Sequence, residues 1–136
     1  MNRDVVLQKV ESLERCLRRV EQKTPPTLEQ LQADLDAQDI VILNLERAVQ
    51  LSVDLAMMIL AEKSAPVPAT MAEAFEQLAA ERVIDPELAS SMSKAVGFRN
   101  IAVQAYRRID WAVVWSITQD RLEVFRIFAS AIVTNA

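Results

Sequence analysis

Four side chains on one short stretch, Arg99, Asn100, Gln104 and Tyr106, carry the chemistry that this sequence offers, and two further cations, Arg107 and Arg108, follow at once. Read as a helix, the region has an apolar stripe of Leu88, Met92, Ala95 and Ala102, interrupted by Arg99 where periodicity asks for a hydrocarbon. Burying a guanidinium there without a partner is costly, so the charge must be paired, solvated in a cleft or set against another subunit. At about 100° per residue Arg99, Val103 and Tyr106 point within roughly 60° of one another, while Asn100 and Gln104 lie one turn apart on the adjoining face. Two readings follow. In one, Arg99 forms a salt bridge to a neighbouring helix, with Glu46 or Asp54 as candidate partners. In the other, Arg99 presents its planar donor fork to a phosphodiester, and Asn100 and Tyr106 add further polar groups. Arg107 and Arg108 either extend that positive patch as RNA contacts or form an ordinary basic helix end.

What surrounds these residues limits the chemistry. The chain has no histidine, which removes the side chain best suited to proton transfer near neutral pH and any His-based transition-metal site. Its single cysteine, Cys16, cannot form an internal disulfide, has no histidine to activate it and reads as a bystander. Asp34, Asp36 and Asp39 suggest a carboxylate metalloenzyme only weakly. They flank a helix start, where the dipole favours carboxylates, and no Glu-x-x-His pair accompanies them. No metal and no cofactor of the chain's own are therefore expected. A net charge of −4 gives no general basic footprint for nucleic acid, so RNA contact needs a local patch. Met1-Asn2-Arg3-Asp4 leads into a charged amphipathic stretch rather than an apolar signal region, and no run of apolar residues is long enough to span a bilayer. A cytoplasmic protein without membrane contact is expected.

The elements that must position the site are helical. One glycine in 136 residues, with abundant Ala, Leu, Glu, Gln and Arg, leaves almost no β-turn punctuation. The first helix is predicted over Asn2 to Gln22, closed by Pro25-Pro26; a short segment from Thr27 to Leu35 follows, then a long helix over Asp36 to Glu62. Val41, Leu45, Ala48, Ser52, Leu55 and Ile59 form the stripe of that long helix, and Ile40, Leu43, Val49, Leu51, Val53 and Met58 beside it imply a second packing partner. Pro66-Val67-Pro68 leads to a helix near Met71 to Ala80, and Asp85-Pro86 starts the next, which ends near the motif. Asp110 caps a last helix whose stripe runs Trp111, Val114, Trp115, Thr118, Leu122, Phe125, Ala129, Ile132, with a second set at Val113, Ile117, Val124, Phe128 and Ala131. That width fits either a central core helix or a self-association surface. Trp111 and Trp115 read as core or as an aromatic platform for bases, and Met57-Met58 as core filler. The whole is expected to be all-α, one domain over 1–136, in an antiparallel bundle of about five helices.

The segment Gly97 to Asp110 resembles the signature of HepT-like HEPN proteins: Arg-Asn, three residues, His, any residue, Tyr, then an Ile/Leu-Asp helix start. Gln38 to Arg47 is similar to that family's long second helix, and helix order and length agree over nearly the whole chain. The resemblance implies a toxin that forms a homodimer in which two motifs face each other as a composite, metal-independent ribonuclease site acting on RNA, tRNA or mRNA. It also implies a partner, a minimal nucleotidyltransferase (MNT) antitoxin that uses ATP to transfer AMP to the motif tyrosine, here Tyr106. The family's Arg and Asn correspond to Arg99 and Asn100, and Gln104 stands at the position of its catalytic His. A degenerate member of the family and a disarming substitution both account for Gln104, and either leaves the chain catalytically impaired. A non-enzymatic nucleotide-binding or adaptor module is the competing expectation.

Overall fold

Seven α-helices and one 3₁₀ turn succeed one another in the computed structural model, which describes residues 2–136 and leaves Met1 outside the described residues; no strand forms among them. The order is α1 (Arg3–Lys23), α2 (Leu28–Ala33), α3 (Leu35–Glu62), α4 (Met71–Ala80), α5 (Pro86–Gln104), the 3₁₀ turn (Tyr106–Arg108), α6 (Trp111–Asp120) and α7 (Leu122–Thr134). Local chemistry sets most of these starts. Thr27, Asp34, Thr70, Asp85 and Asp110 each stand just before a helix and accept from one of its first backbone N–H groups, which would otherwise lack a partner. At the other ends, Ser64 and Arg82 take left-handed φ values of 55° and 60°. Ala65 N–H then reaches Leu60 O at 3.1 Å and Val83 N–H reaches Leu78 O at 2.9 Å, which closes α3 and α4.

The long helix α3 is the axis of the fold. Its expected stripe, Val41 to Ile59, is fully buried, and the second partner implied by its extra apolar residues exists: α1 packs along one side, α4, α5 and α7 along the others. Cross-links give the directions. Lys9 near the start of α1 meets Asp54 late in α3 at 3.7 Å, while Arg99 late in α5 meets Gln50 and Tyr106 beyond it meets Asp39. Both neighbours therefore run antiparallel to α3. Arg126 of α7 ties back to α1 through Glu21 at 2.6 Å and Glu14 at 3.4 Å, and Phe128 packs edge-on against Phe75 of α4 with ring centroids 5.5 Å apart.

The count of about five helices becomes seven for two reasons. The Thr27 to Leu35 segment contains a short helix of its own, α2, whose terminal carbonyls at Leu31 and Gln32 are capped by the buried Gln38 amide at 2.9 and 3.1 Å. The expected single last helix is broken at Arg121. There Thr118 returns its hydroxyl to Trp115 O at 2.7 Å, a local bond that bends helices, and α6 turns to cover α2 while α7 continues over α1, α3 and α5. The expected stripe survives the bend, since Val114, Thr118, Leu122, Phe125, Ala129 and Ile132 are all buried. In the second set only Phe128 is; Val113 stays exposed. Two smaller expectations change as well. Met57 faces solvent while Met58 packs on the core, and Trp111 and Trp115 are half-buried against it. Cys16 is buried, and burial pushes its thiol up, away from the reactive thiolate.

Candidate functional site

Arg99 lies on the last third of α5, half-buried against α3. Its expected carboxylate partner is absent: among the described residues neither Glu46 nor Asp54 pairs with it. Instead Nη2 donates to Gln50 Oε1 at 3.5 Å, the long limit of a hydrogen bond, and Gln50 Nε2 in turn donates to Asp54 Oδ1 at 3.0 Å. Asp54 is thus reached through an amide spacer, with Lys9 on its far oxygen. The Arg99 Nε–H is buried without an acceptor. A guanidinium held loosely on one nitrogen, with a second donor unmet, retains most of its capacity for an anion.

Tyr106 does not lie where helical periodicity places it. The helix stops at Gln104, Ala105 turns off at φ −145° and ψ 55°, and Tyr106 begins the 3₁₀ turn. Its ring is therefore carried toward the start of α3, where the hydroxyl donates to Asp39 Oδ1 at 2.9 Å. The ring edge also meets Trp111 with centroids 6.2 Å apart and planes at 69°. Burial first, then the hydrogen bond to Asp39, then the charges of Asp39 and Glu46 push the phenol up to about 12. The hydroxyl is therefore neutral near pH 7 and oriented, and the residue as a whole remains 40% exposed.

The structure brings Arg99 and Tyr106 onto one flank of α3, opposite Gln50 and Asp39, and leaves the other motif residues on the surface beside them. Asn100 and Gln104 are exposed and make no side-chain hydrogen bond among the described residues. Arg107 and Arg108 are likewise exposed and unpaired there. Successive residues of a 3₁₀ turn point about 120° apart, so these two arginines do not share one direction with Tyr106. Ile101 and Val103, 48% and 52% exposed, lie about 200° apart on either side of the buried Ala102, and Val103 is the one that shares the side of Arg99.

Sequence reasoning misses Asp39 and Gln50, the two α3 residues that hold the motif. Spacing groups Asp39 with Asp34 and Asp36, but Asp34 caps α3, accepting from Ala37 N–H at 3.0 Å, and Asp39 answers Tyr106. Among the described residues no three His, Cys, Asp or Glu side chains converge to hold a metal. Neither Asp39 nor Gln50 leaves a signal in the chain's periodicity, since both depend on which helix α5 packs against. A separate apolar cleft of about 260 Å³ lies between Leu45 and Val49 of α3, Ala95 and Phe98 of α5, and Ile117 and Val124 beyond. None of Arg99, Asn100, Gln104 or Tyr106 lines it.

Comparison with known proteins places this geometry. The chain is 32% identical over 129 residues, 95% of its length and 96% of the relative's, to the mRNA nuclease HepT of Shewanella oneidensis. It superimposes with a TM-score of 0.90, at 32% identity and over 97% of this chain and 98% of the other, on a tri-AMPylated Shewanella oneidensis HEPN toxin in complex with an MNT antitoxin. A crystal structure of a toxin–antitoxin pair with AMP-PNP gives the same TM-score of 0.90 and 32% identity, over 97% and 99% of the two chains. Residues 13–132 match the family described as ribonuclease HepT-like, and this chain belongs to that family.

Proposed function

We propose that this chain is the toxin of a HEPN/MNT toxin–antitoxin pair: an RNA endonuclease fold, weakened in this sequence by Gln104, that acts as a homodimer and is neutralised when an MNT antitoxin transfers AMP from ATP to Tyr106. The observation that carries the reading is the near-complete overlap with an AMPylated HEPN toxin, joined to a part-exposed tyrosine on the same flank as an under-bonded arginine. The exposed Val103, about 40° from Arg99 around α5, supplies apolar surface beside the motif for a second copy. A cytoplasmic location fits, because no helix among the described residues is long and apolar enough to cross a membrane.

Cleavage of RNA through its own 2′-hydroxyl needs that hydroxyl deprotonated, charge on the phosphorane stabilised and the 5′-oxygen protonated as it leaves. Arg99 meets the second need, and Asn100 would orient the phosphate. No metal is required, so chelators should leave any cleavage unchanged. Gln104 cannot meet the proton needs: its amide holds positions through hydrogen bonds and exchanges no proton near neutral pH. Losing general acid–base catalysis costs about 10²–10⁴-fold in rate. AMP on Tyr106 would add a phosphodiester charge near Arg99 and block the approach of a substrate phosphate.

Cleavage of mixed tRNA and mRNA is the test, comparing the chain with Gln104→His and with Gln104→His plus Arg99→Ala. Activity rising by about 10²–10⁴-fold with histidine, and lost again with Arg99→Ala, is the expected outcome. Three folded but inactive proteins would instead support a non-enzymatic nucleotide-binding or adaptor module.

A further inference from the structure

We propose that Asp39 is the base that takes the proton of Tyr106 when that hydroxyl is modified, so that the toxin contributes a catalytic carboxylate to its own inactivation. The inference rests on the reading of Tyr106 as the AMP acceptor and adds the residue that makes its oxygen a nucleophile.

Geometry comes first. The Tyr106 hydroxyl donates to Asp39 Oδ1 at 2.9 Å, inside the reach required of a general base. Among the described residues Asp39 has no cation paired to it and no other side-chain partner, so nothing competes for the proton. The ring also packs against Trp111, with centroids 6.2 Å apart, which supports the orientation that points the hydroxyl at the carboxylate. A need for a base is also present. With the phenol pushed up to about 12, phenolate is on the order of one part in 10⁵ at pH 7, so unassisted ionisation would supply little nucleophile. The groups facing Tyr106 are Asp39 and Glu46 on α3 and the neutral Trp111 on α6, with Arg107 and Arg108 adjoining it in the chain.

The step balances without further components. The Tyr106 oxygen attacks the α-phosphorus of ATP held by the nucleotidyltransferase and an O–P bond forms. The bond from the α-phosphorus to the bridging oxygen breaks, and pyrophosphate leaves with the electron pair. The phenolic proton passes to Asp39 Oδ1 and from there to water. The product has no hydroxyl proton left for Asp39 and carries a phosphodiester anion beside that carboxylate. The bond that positioned the reactant is thereby replaced by like-charge repulsion, which opposes return of the AMP.

Initial rates of label transfer from ATP labelled at the α-phosphate, with the chain's nucleotidyltransferase antitoxin and across pH 6–9, test this in the native chain, Asp39→Asn, Asp39→Glu and Tyr106→Phe. The amide introduced by Asp39→Asn keeps an acceptor oxygen for the ring but accepts no proton. Asp39→Asn should lower kcat by about 10²-fold with KM for ATP unchanged, and its rate should climb with pH toward the phenol's ionisation. Asp39→Glu should recover most of the loss, and thermal unfolding should be alike in all four. An Asp39→Asn rate and pH profile matching the native chain would overturn the proposal and assign the base to the antitoxin. Label in Tyr106→Phe, or none in the native chain, would instead overturn the reading of Tyr106 on which it rests.

Discussion

At the scale of single residues, the site is defined by what its polar groups lack. Arg99 has one long hydrogen bond and a buried, unmet Nε–H, and Gln104 is an exposed amide with no side-chain hydrogen bond among the described residues. Tyr106 is the only tyrosine of the chain, which makes its ionisation directly readable by ultraviolet titration. A phenol whose ionised form is disfavoured by burial and a neighbouring carboxylate titrates late, so the native chain should ionise near pH 12. Removing the carboxylate charge with Asp39→Asn should bring the midpoint part of the way down toward the ordinary value of about 10, since burial, the largest cause, remains. An unchanged midpoint would mean that the hydrogen bond to Asp39 does not persist in solution. The motif residues were legible in the sequence because a cation breaks an apolar stripe and because their spacing resembles a family signature. Asp39 and Gln50 were not, since their importance arises only when α5 docks against α3.

At the scale of elements, both ends of α1, α3 and α4 were legible to within a residue, and what the sequence left out were the breaks at Ala105 and Arg121. Asp34, Asp85, Asp110 and Pro86 mark starts through groups that act within one turn, and the structure uses them so. The breaks go with tertiary packing. Tyr106 leaves the helical register where the backbone turns at Ala105 and the ring meets α3, and beyond the bend at Arg121 α7 packs on α1, α3 and α5 while α6 packs on α2. The scarcity of glycine has its own cost at the ends of α3 and α4, where Ser64 and Arg82 adopt the left-handed backbone that glycine takes freely. A left-handed residue with a Cβ costs about 1–2 kcal/mol, part of which glycine gives back through a freer unfolded chain. Arg82→Gly should therefore stabilise the protein by about 0.5–1 kcal/mol, seen as a rise of a few degrees in Tm. A fall would show that the Arg82 side chain makes contributions that its exposure does not suggest.

At the scale of the molecule, the exposed end of α5 and the buried core have opposite duties. Ile101 and Val103 contribute little to packing within the chain, so Ile101→Lys with Val103→Lys should leave the helical content intact while separating the proposed dimer by like-charge repulsion. Light scattering at several concentrations would read this, and a native chain that is monomeric throughout would remove the dimer from the proposal. The core reaches across the sequence differently. A single cluster joins Val6 to Ile132, and α7 packs on α1, α3 and α5 and sets Phe128 against Phe75. Since α7 follows the motif in chain order, a ribosome delivers residues 99–106 before it delivers the helix that seals the core around their scaffold. Until α7 arrives, α3 and α5 lack part of the packing that presses Arg99 and Tyr106 onto one flank. Synthesis thus has an interval in which the nascent chain carries the motif but not the helix that completes its scaffold.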